Sequence, residues 1–226
     1  MAERQRIEEI AAAIGNSHGE PARILNIGAG TSTVIEEQLT QAGAKFICDR
    51  LDVIDCRAEH PAVGSCWTCP AETMAPAPSG AYAAAFANFV LEHVSDVRTA
   101  AREICRVLSP GGRFVATVPN PSAPGFVLAR HSPAWFRAVF TRRKPYKTCY
   151  AYPTIPALAG LLAGGGLRTV GVKFSCCAED YLAHLPPLHL AGRLYDRALT
   201  CLQAVGLMGH ACIVMEKPAW RHRAGR

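Results

Sequence analysis

Two glycines one residue apart close an apolar run in the stretch Ile27-Gly28-Ala29-Gly30-Thr31-Ser32. Glycine permits a sharp turn and lets ligand atoms approach the backbone. The segment from Arg23 to Thr33 is therefore read as a strand, a glycine turn and a helix start that hold an adenosine-bearing cofactor. A dinucleotide would need a third glycine in the pattern G-x-G-x-x-G, with its pyrophosphate on the helix N-terminus. Thr33 stands at that position, so the compact loop suits S-adenosylmethionine, which carries no pyrophosphate. Asp49 ends a second short apolar stretch, residues 45–48, 21 positions after Gly28. A carboxylate at such a strand end accepts from both ribose hydroxyls. Asp52 takes that role if the register runs longer.

A second group of reactive side chains lies close by. Cys56, His60, Cys66 and Cys69 fall within fourteen residues and include one C-x-x-C pair, the type of cluster that holds zinc or a soft metal. A structural zinc site wants two ligand pairs, and Cys56-x-x-x-His60 is a poor first pair, so no metal is assigned. Cys176 and Cys177 are adjacent, cannot easily chelate one ion, and read as packing at a strand end.

The elements that must position these residues follow from periodicity. Residues 6–14 carry apolar side chains at 7, 10, 11 and 14, a helical stripe fit to pack over a cofactor site. Residues 22–27 read as a buried strand. Thr33 and Glu36 stand at capping-box spacing, so a helix should run over 33–41 and stop at Gly43. Further strands are expected over 45–48, 82–89, 113–118, 167–174 and 211–216, and helices over 97–108, 154–163 and 178–206. Ser109-Pro110-Gly111-Gly112 reads as a turn. This alternation predicts an α/β protein with a Rossmann-like doubly wound sheet, mostly parallel, with an antiparallel last strand and helices on both faces. A parallel crossover puts the glycine turn at the carboxyl edge of that sheet.

Composition sets the class. The 226 residues, half of them apolar and 19% charged, suit one globular domain and argue against disorder. The N-terminus lacks the apolar core of a secretory signal. The longest apolar stretch, residues 155–167, is broken by Pro156 and a run of glycines, so no membrane span is expected. A cytoplasmic protein with its ten cysteines reduced follows, as a monomer or homodimer. The net charge of +6 is local: Arg137, Arg142, Arg143, Lys144 and Lys147 crowd one segment, and Arg221, Arg223 and Arg226 another. It reads as a solvated basic face, with an anionic substrate or nucleic acid as the alternative.

Four stretches carry a resemblance. They are Ile24-Leu25-Asn26-Ile27-Gly28-Ala29-Gly30, Pro70-Ala71-Glu72, Phe86-Ala87-Asn88-Phe89-Val90-Leu91-Glu92-His93-Val94, and Arg102 through Gly112 with its Leu108-Ser109-Pro110-Gly111-Gly112 end. In that order, over roughly residues 20–120, the chain resembles a class I S-adenosylmethionine-dependent methyltransferase of the small-molecule branch. The resemblance implies that Gly28, Ala29 and Gly30 line the methionine and ribose, that Asp49 binds the ribose, and that Arg50 flanks the adenine. It implies that Ala71 and Glu72 meet the adenine edge, and Asn88 and Phe89 the methionine side. Three acids usual in the family are missing, at Asn26, Pro70 and near Ala83. Asn26 keeps a carbonyl oxygen able to accept from the ligand's ammonium.

Methyl transfer needs mainly alignment, which supplies roughly 7–11 kcal/mol, whereas a general base adds about 10²–10⁴-fold. His93 is the first candidate base, because the matching turn faces the substrate side in the family. His131, with Tyr150 and Tyr152, lies in the variable region where an acceptor sits, and His184 and His189 follow further on. The expected activity is methylation of an O, N or C nucleophile of a small metabolite in a biosynthetic pathway. Two alternatives stay open. A nucleic-acid methyltransferase would set the basic segment 130–147 on phosphates, but Asn88-Phe89-Val90-Leu91 lacks the Pro-Pro-aromatic run of base amino-methylating relatives. A relative that binds the cofactor without transferring methyl would fit the missing acids.

Overall fold

A computed structural model describes residues 2–15, 20–131, 148–149, 151–184 and 186–219. In chain order these form α1 (Ala2–Ile14), β1 (Ala22–Ile27), α2 (Val34–Gln41), β2 (Phe46–Asp52), β3 (Val63–Thr68), β4 (Tyr82–Asn88), α3 (Val97–Val107) and β5 (Leu108–Pro119). There follow α4 (Pro124–His131), α5 (Ile155–Gly164), β6 (Arg168–Ser175), α6 (Ala178–Leu182), α7 (Pro186–Cys201), a 3₁₀ turn (Val205–Leu207) and β7 (His210–Glu216). The seven strands make one sheet in the order β3-β2-β1-β4-β5-β7-β6, parallel except for β7, which runs antiparallel to both its neighbours. This is the expected doubly wound architecture.

Burial on both faces explains the unbroken apolar strands. Ile24, Cys48, Phe86, Val115 and Cys212 point to one face and pack under Ile10 and Ile14 of α1 and Leu39 of α2. Leu25, Ile27, Leu51, Phe114 and Ile213 point to the other and pack under α3 and α5. The chain leaves β1 toward β2 and β3, then returns to place β4 on the opposite side of β1. The crevice between the carboxyl ends of β1 and β4 is where such sheets bind ligands.

Local differences from the pattern have tertiary causes. β2 continues to Asp52, past Cys48, because it pairs with β1 on one side and with the edge strand β3 on the other. β3 itself is half exposed and carries no apolar run. Thr33 does precede α2, but it makes no capping bond to the backbone: its hydroxyl donates to Glu37 Oε1 at 2.6 Å, and Glu36 is drawn inward. The Ser109–Gly112 turn is absorbed into β5 as an irregularity in its pairing with β4. The helical stretch 178–206 is divided into α6, α7 and the 3₁₀ turn. Among the described residues, no helix is long and apolar enough to cross a membrane.

Candidate functional site

The turn after β1 is built by its underside. Gly28 (φ 70°) and Gly30 (φ 55°) both occupy the left-handed region. The N–H groups of Gly28 and Ala29 donate to the Leu51 carbonyl, at 2.8 and 3.1 Å, and that of Gly30 donates to Asp52 Oδ2 at 2.8 Å. A Cβ on Gly28 would run into the Val90 side chain, whereas one on Gly30 would meet open space.

Arg50, 0% exposed, supports the turn from below. Its Nη2 donates to the carbonyls of Ala29, Gly30 and Ser32 at 3.2, 3.1 and 2.9 Å, and its Nη1 pairs with Glu36 Oε1 at 2.9 Å. Asn26 Nδ2 donates to the same Glu36 oxygen at 2.9 Å. Arg50 thus does not flank an adenine: it is consumed in fastening the turn to α2. Asn26 likewise lies buried beneath the turn, where its amide is engaged by Glu36 Oε1.

Asp49 is also displaced from its expected role. It stands three residues before the end of β2, 1% exposed, on the face covered by α3. Its carboxylate accepts from Arg23 Nε, Tyr82 Oη and the Ser65 N–H, each at 2.8 Å. Burial, with the Asp49 carboxylate second, drives the Tyr82 phenol well above its ordinary range. Asp52 closes the strand instead, beside the turn, with Oδ1 accepting from the Ile54 N–H at 3.2 Å. Val53 and Ile54 follow it with exposed apolar side chains.

The rest of the rim comes from three loops. Ala71 is buried, and Glu72 Oε1 accepts from the N–H and hydroxyl of Ser95 and from the Asp96 N–H, fastening its loop to the start of α3. Asn88 ends β4, where its Oδ1 accepts from Arg6 of α1. Arg6, which is not part of the apolar stripe at 7, 10, 11 and 14, thus joins α1 to this edge, while Ile10 and Ile14 of the stripe pack in the core. Phe89 is left-handed (φ 55°) and keeps its N–H on the Thr117 carbonyl at 2.8 Å. His93 is half-buried on the next turn, its N–H on the Val90 carbonyl. Glu92 is 4% exposed, and its Oε2 has no hydrogen-bond partner among the described residues. Burial pushes its carboxyl up to about 7.

Several other expected groups lie elsewhere. Tyr152 is 1% exposed and belongs to the core beneath α5, so it is a packing residue and does not face an acceptor. His189 faces Glu179 at 3.2 Å on the surface of α7. The side chain of His131, all of Tyr150, and Arg137, Arg142, Arg143, Lys144 and Lys147 lie outside the described residues. Cys56 reaches the Trp67 carbonyl and His60 Nδ1 accepts from the Ala62 N–H. No three His, Cys, Asp or Glu side chains among the described residues are grouped to hold a metal.

One residue that periodicity did not single out stands at this edge. His210 opens β7, in register with Pro119 of β5 and Ser175 of β6, and three aromatic rings surround it. Asn120 holds the preceding loop, with Nδ2 donating to the carbonyls of Gly206 and Met208 at 3.1 and 2.8 Å.

Comparison with known proteins agrees with this geometry. An S-adenosylmethionine-dependent methyltransferase from Mesorhizobium loti superposes with a TM-score of 0.61 at 16% identity, over 96% of this chain and 98% of that one. The [4+2]-cyclase SpnF gives 0.58 at 19% identity, over 96% and 82%. The 1,6-didemethyltoxoflavin-N1-methyltransferase from Burkholderia thailandensis, solved with S-adenosylhomocysteine, gives 0.55 at 18%, over 96% and 78%. No curated protein matches in sequence. The family described as a methyltransferase domain matches residues 2–172. With the doubly wound sheet and a glycine turn at its switch point, the chain belongs to the methyltransferase-domain family, the class I enzymes that depend on S-adenosylmethionine.

Proposed function

We propose that the chain methylates an O, N or C nucleophile of a small metabolite, with S-adenosylmethionine held at the carboxyl ends of β1, β2 and β4. One observation carries the reading: the Gly28–Gly30 turn is held in shape from beneath by Arg50 and Glu36 while open space remains above Gly30. Such a cradle fits the cofactor. The Asp52 carboxylate, which ends β2 beside Gly30, retains lone pairs for the ribose hydroxyls. Val53 and Ile54 offer the adenine an apolar face, Ala71 its edge, and Asn88 and Phe89 stand toward the methionine.

When bound at the Gly28–Gly30 turn, S-adenosylmethionine would supply an already activated methyl group. The chain's own contribution is alignment, worth roughly 7–11 kcal/mol for well-oriented reactants. Arg50 and Glu36 keep the turn rigid, and Val90 ties it to the segment that carries Phe89 and His93. A single domain over residues 1–226, a cytoplasmic setting and a biosynthetic role go with this reading.

Calorimetry with S-adenosylmethionine tests the site. Asp52→Ala should weaken cofactor binding about tenfold or more, the loss of hydrogen bonds to one carboxylate. Unchanged affinity in a folded Asp52→Ala would remove the site assignment. A substrate screen that follows S-adenosylhomocysteine release then separates transfer from binding alone. Turnover on RNA or DNA that weakens steeply between about 50 and 200 mM salt would favour the nucleic-acid alternative.

A further inference from the structure

The aromatic edge at the start of β7 carries a role of its own. The His210 ring lies 4.8 Å from Phe89, edge-on, 5.9 Å from Tyr181 of α6 and 6.1 Å from Phe126 of α4. Phe126 and Tyr181 stand 6.0 Å apart and nearly perpendicular. Aromatic rings at 4.5–7 Å in edge-on arrangements attract one another, so this is a packed wall drawn from four separate segments. It is a wall with an exposed side, because Phe89, Phe126, Tyr181 and His210 are each only partly covered.

Within this apolar wall sits one unsatisfied polar atom. His210 Nε2 has no hydrogen-bond partner among the described residues. Leaving such an atom unpaired carries its full desolvation penalty. Burial lowers the imidazole to about 4, so the ring is neutral at physiological pH, able to offer one donor and one acceptor nitrogen. Phe89 adds a second cost, since a non-glycine residue in the left-handed region is strained. Strain and orphaned polar groups that persist together are features of ligand sites.

Position decides which ligand. Phe89 touches His210, while Val90, the next residue, packs on Gly28 of the cofactor turn. Two consecutive residues therefore face the methyl donor's cradle and the aromatic wall. We infer that Phe89, Phe126, Tyr181 and His210 form the acceptor subsite, and that it takes a planar unsaturated molecule whose hydroxyl or ring N–H hydrogen-bonds to His210 Nε2. The inference rests on the methyl-transfer reading for the donor side only. Flat rings stack against the wall, and the unpartnered His210 Nε2 orients them, so the subsite selects for planarity and for one correctly placed hydrogen.

The test uses the full chain and 2-naphthol as the probe, followed by its fluorescence polarisation, with the saturated alcohol decahydro-2-naphthol as competitor. Saturable binding is expected. It should weaken about tenfold in His210→Leu, which removes the hydrogen bond and keeps the bulk, and by a similar factor in Phe126→Ala. His210→Gln, which keeps a polar group, should lose less. The saturated alcohol should compete at least about tenfold more weakly than 2-naphthol displaces itself. Absence of saturable binding, equal competition by the saturated alcohol, or full affinity in His210→Leu each overturns the inference. Should His210→Leu fail to fold, the wild-type His210 imidazole proton resonance, assigned with His210→Gln, must shift on adding 2-naphthol, and an unmoved resonance is equally fatal. Calorimetry with S-adenosylmethionine on the same variants keeps the two readings apart: donor affinity is expected to persist in all of them, and its absence from the wild type would sink the methyl-transfer reading while leaving the naphthol result to stand or fall alone.

Discussion

The two halves of the sheet's carboxyl edge differ in how their charged groups are paired. Around β1 and β2, charged side chains are paired with one another: Arg50, Glu36 and Asn26 lock the underside of the turn, although Arg50 Nε and Glu36 Oε2 make no hydrogen bond among the described residues, and Asp49 is shared among Arg23, Tyr82 and Ser65. Around β4, β5 and β7, polar groups are stranded: Glu92 Oε2 and His210 Nε2 lack partners among the described residues, and Phe89 is strained. A cofactor common to a whole family calls for a rigid cradle. An acceptor that differs from one enzyme to the next calls for a surface whose final partners arrive with the ligand. Ion pairing fastens the first half, whereas the second holds a carboxyl and an imidazole without an ion-pair partner among the described residues.

The sharpest way to break this comparison is to unlock the turn. Arg50→Met leaves Glu36 buried without its cation, and breaking a buried pair on one side costs about 3–5 kcal/mol. Denaturant unfolding should show that loss, and the double variant Arg50→Met with Glu36→Leu should recover most of it. If the single variant is neutral, the turn is not held from beneath.

Glu92 tests the other half through pH. Its folded carboxyl titrates near about 7 and its ordinary value is 4.5. Below pH 4.5 both folded and unfolded chains keep it protonated and it contributes no pH dependence. Between 4.5 and about 7 only the unfolded chain loses the proton, so stability falls as pH rises through that window, reaching a deficit of about 3 kcal/mol above it. Unfolding at pH 5 and pH 8 should show Glu92→Gln removing that part of the difference. An identical pH slope in both proteins would mean the carboxyl is not isolated. A smaller effect is expected from Asn120→Ala, which frees the carbonyls of Gly206 and Met208. About 1–3 kcal/mol should be lost, and the loop before His210 should gain hydrogen exchange, while the Gly28 turn keeps its protection.

Much of the site's frame was legible before any coordinates. The glycine turn, the alternation of strands and helices and the helix after Asp96 are local signals, and each is where it was expected. Individual roles were less legible. Asp49 looked like a strand end because a charge interrupts an apolar run, yet its charge is paired with Arg23 and hydrogen-bonded by Tyr82, 26 and 33 residues away. Arg50 looked like a ligand contact and proved to be the turn's support, since its partner Glu36 sits on a different element. His210 carried no signal at all, because its neighbours come from positions 89, 126 and 181.

The amino-acid sequence by itself determined the family, the layered α/β architecture and the position of the cofactor turn, because backbone conformation and apolar periodicity are short-range properties of a chain. Only the tertiary structure decided which of the charged and aromatic side chains are spent on one another and which are left over for a ligand. Pairing across tens of residues depends on strand order and register, and those emerge when the sheet closes β2 between β1 and β3 and sets β7 beside β5.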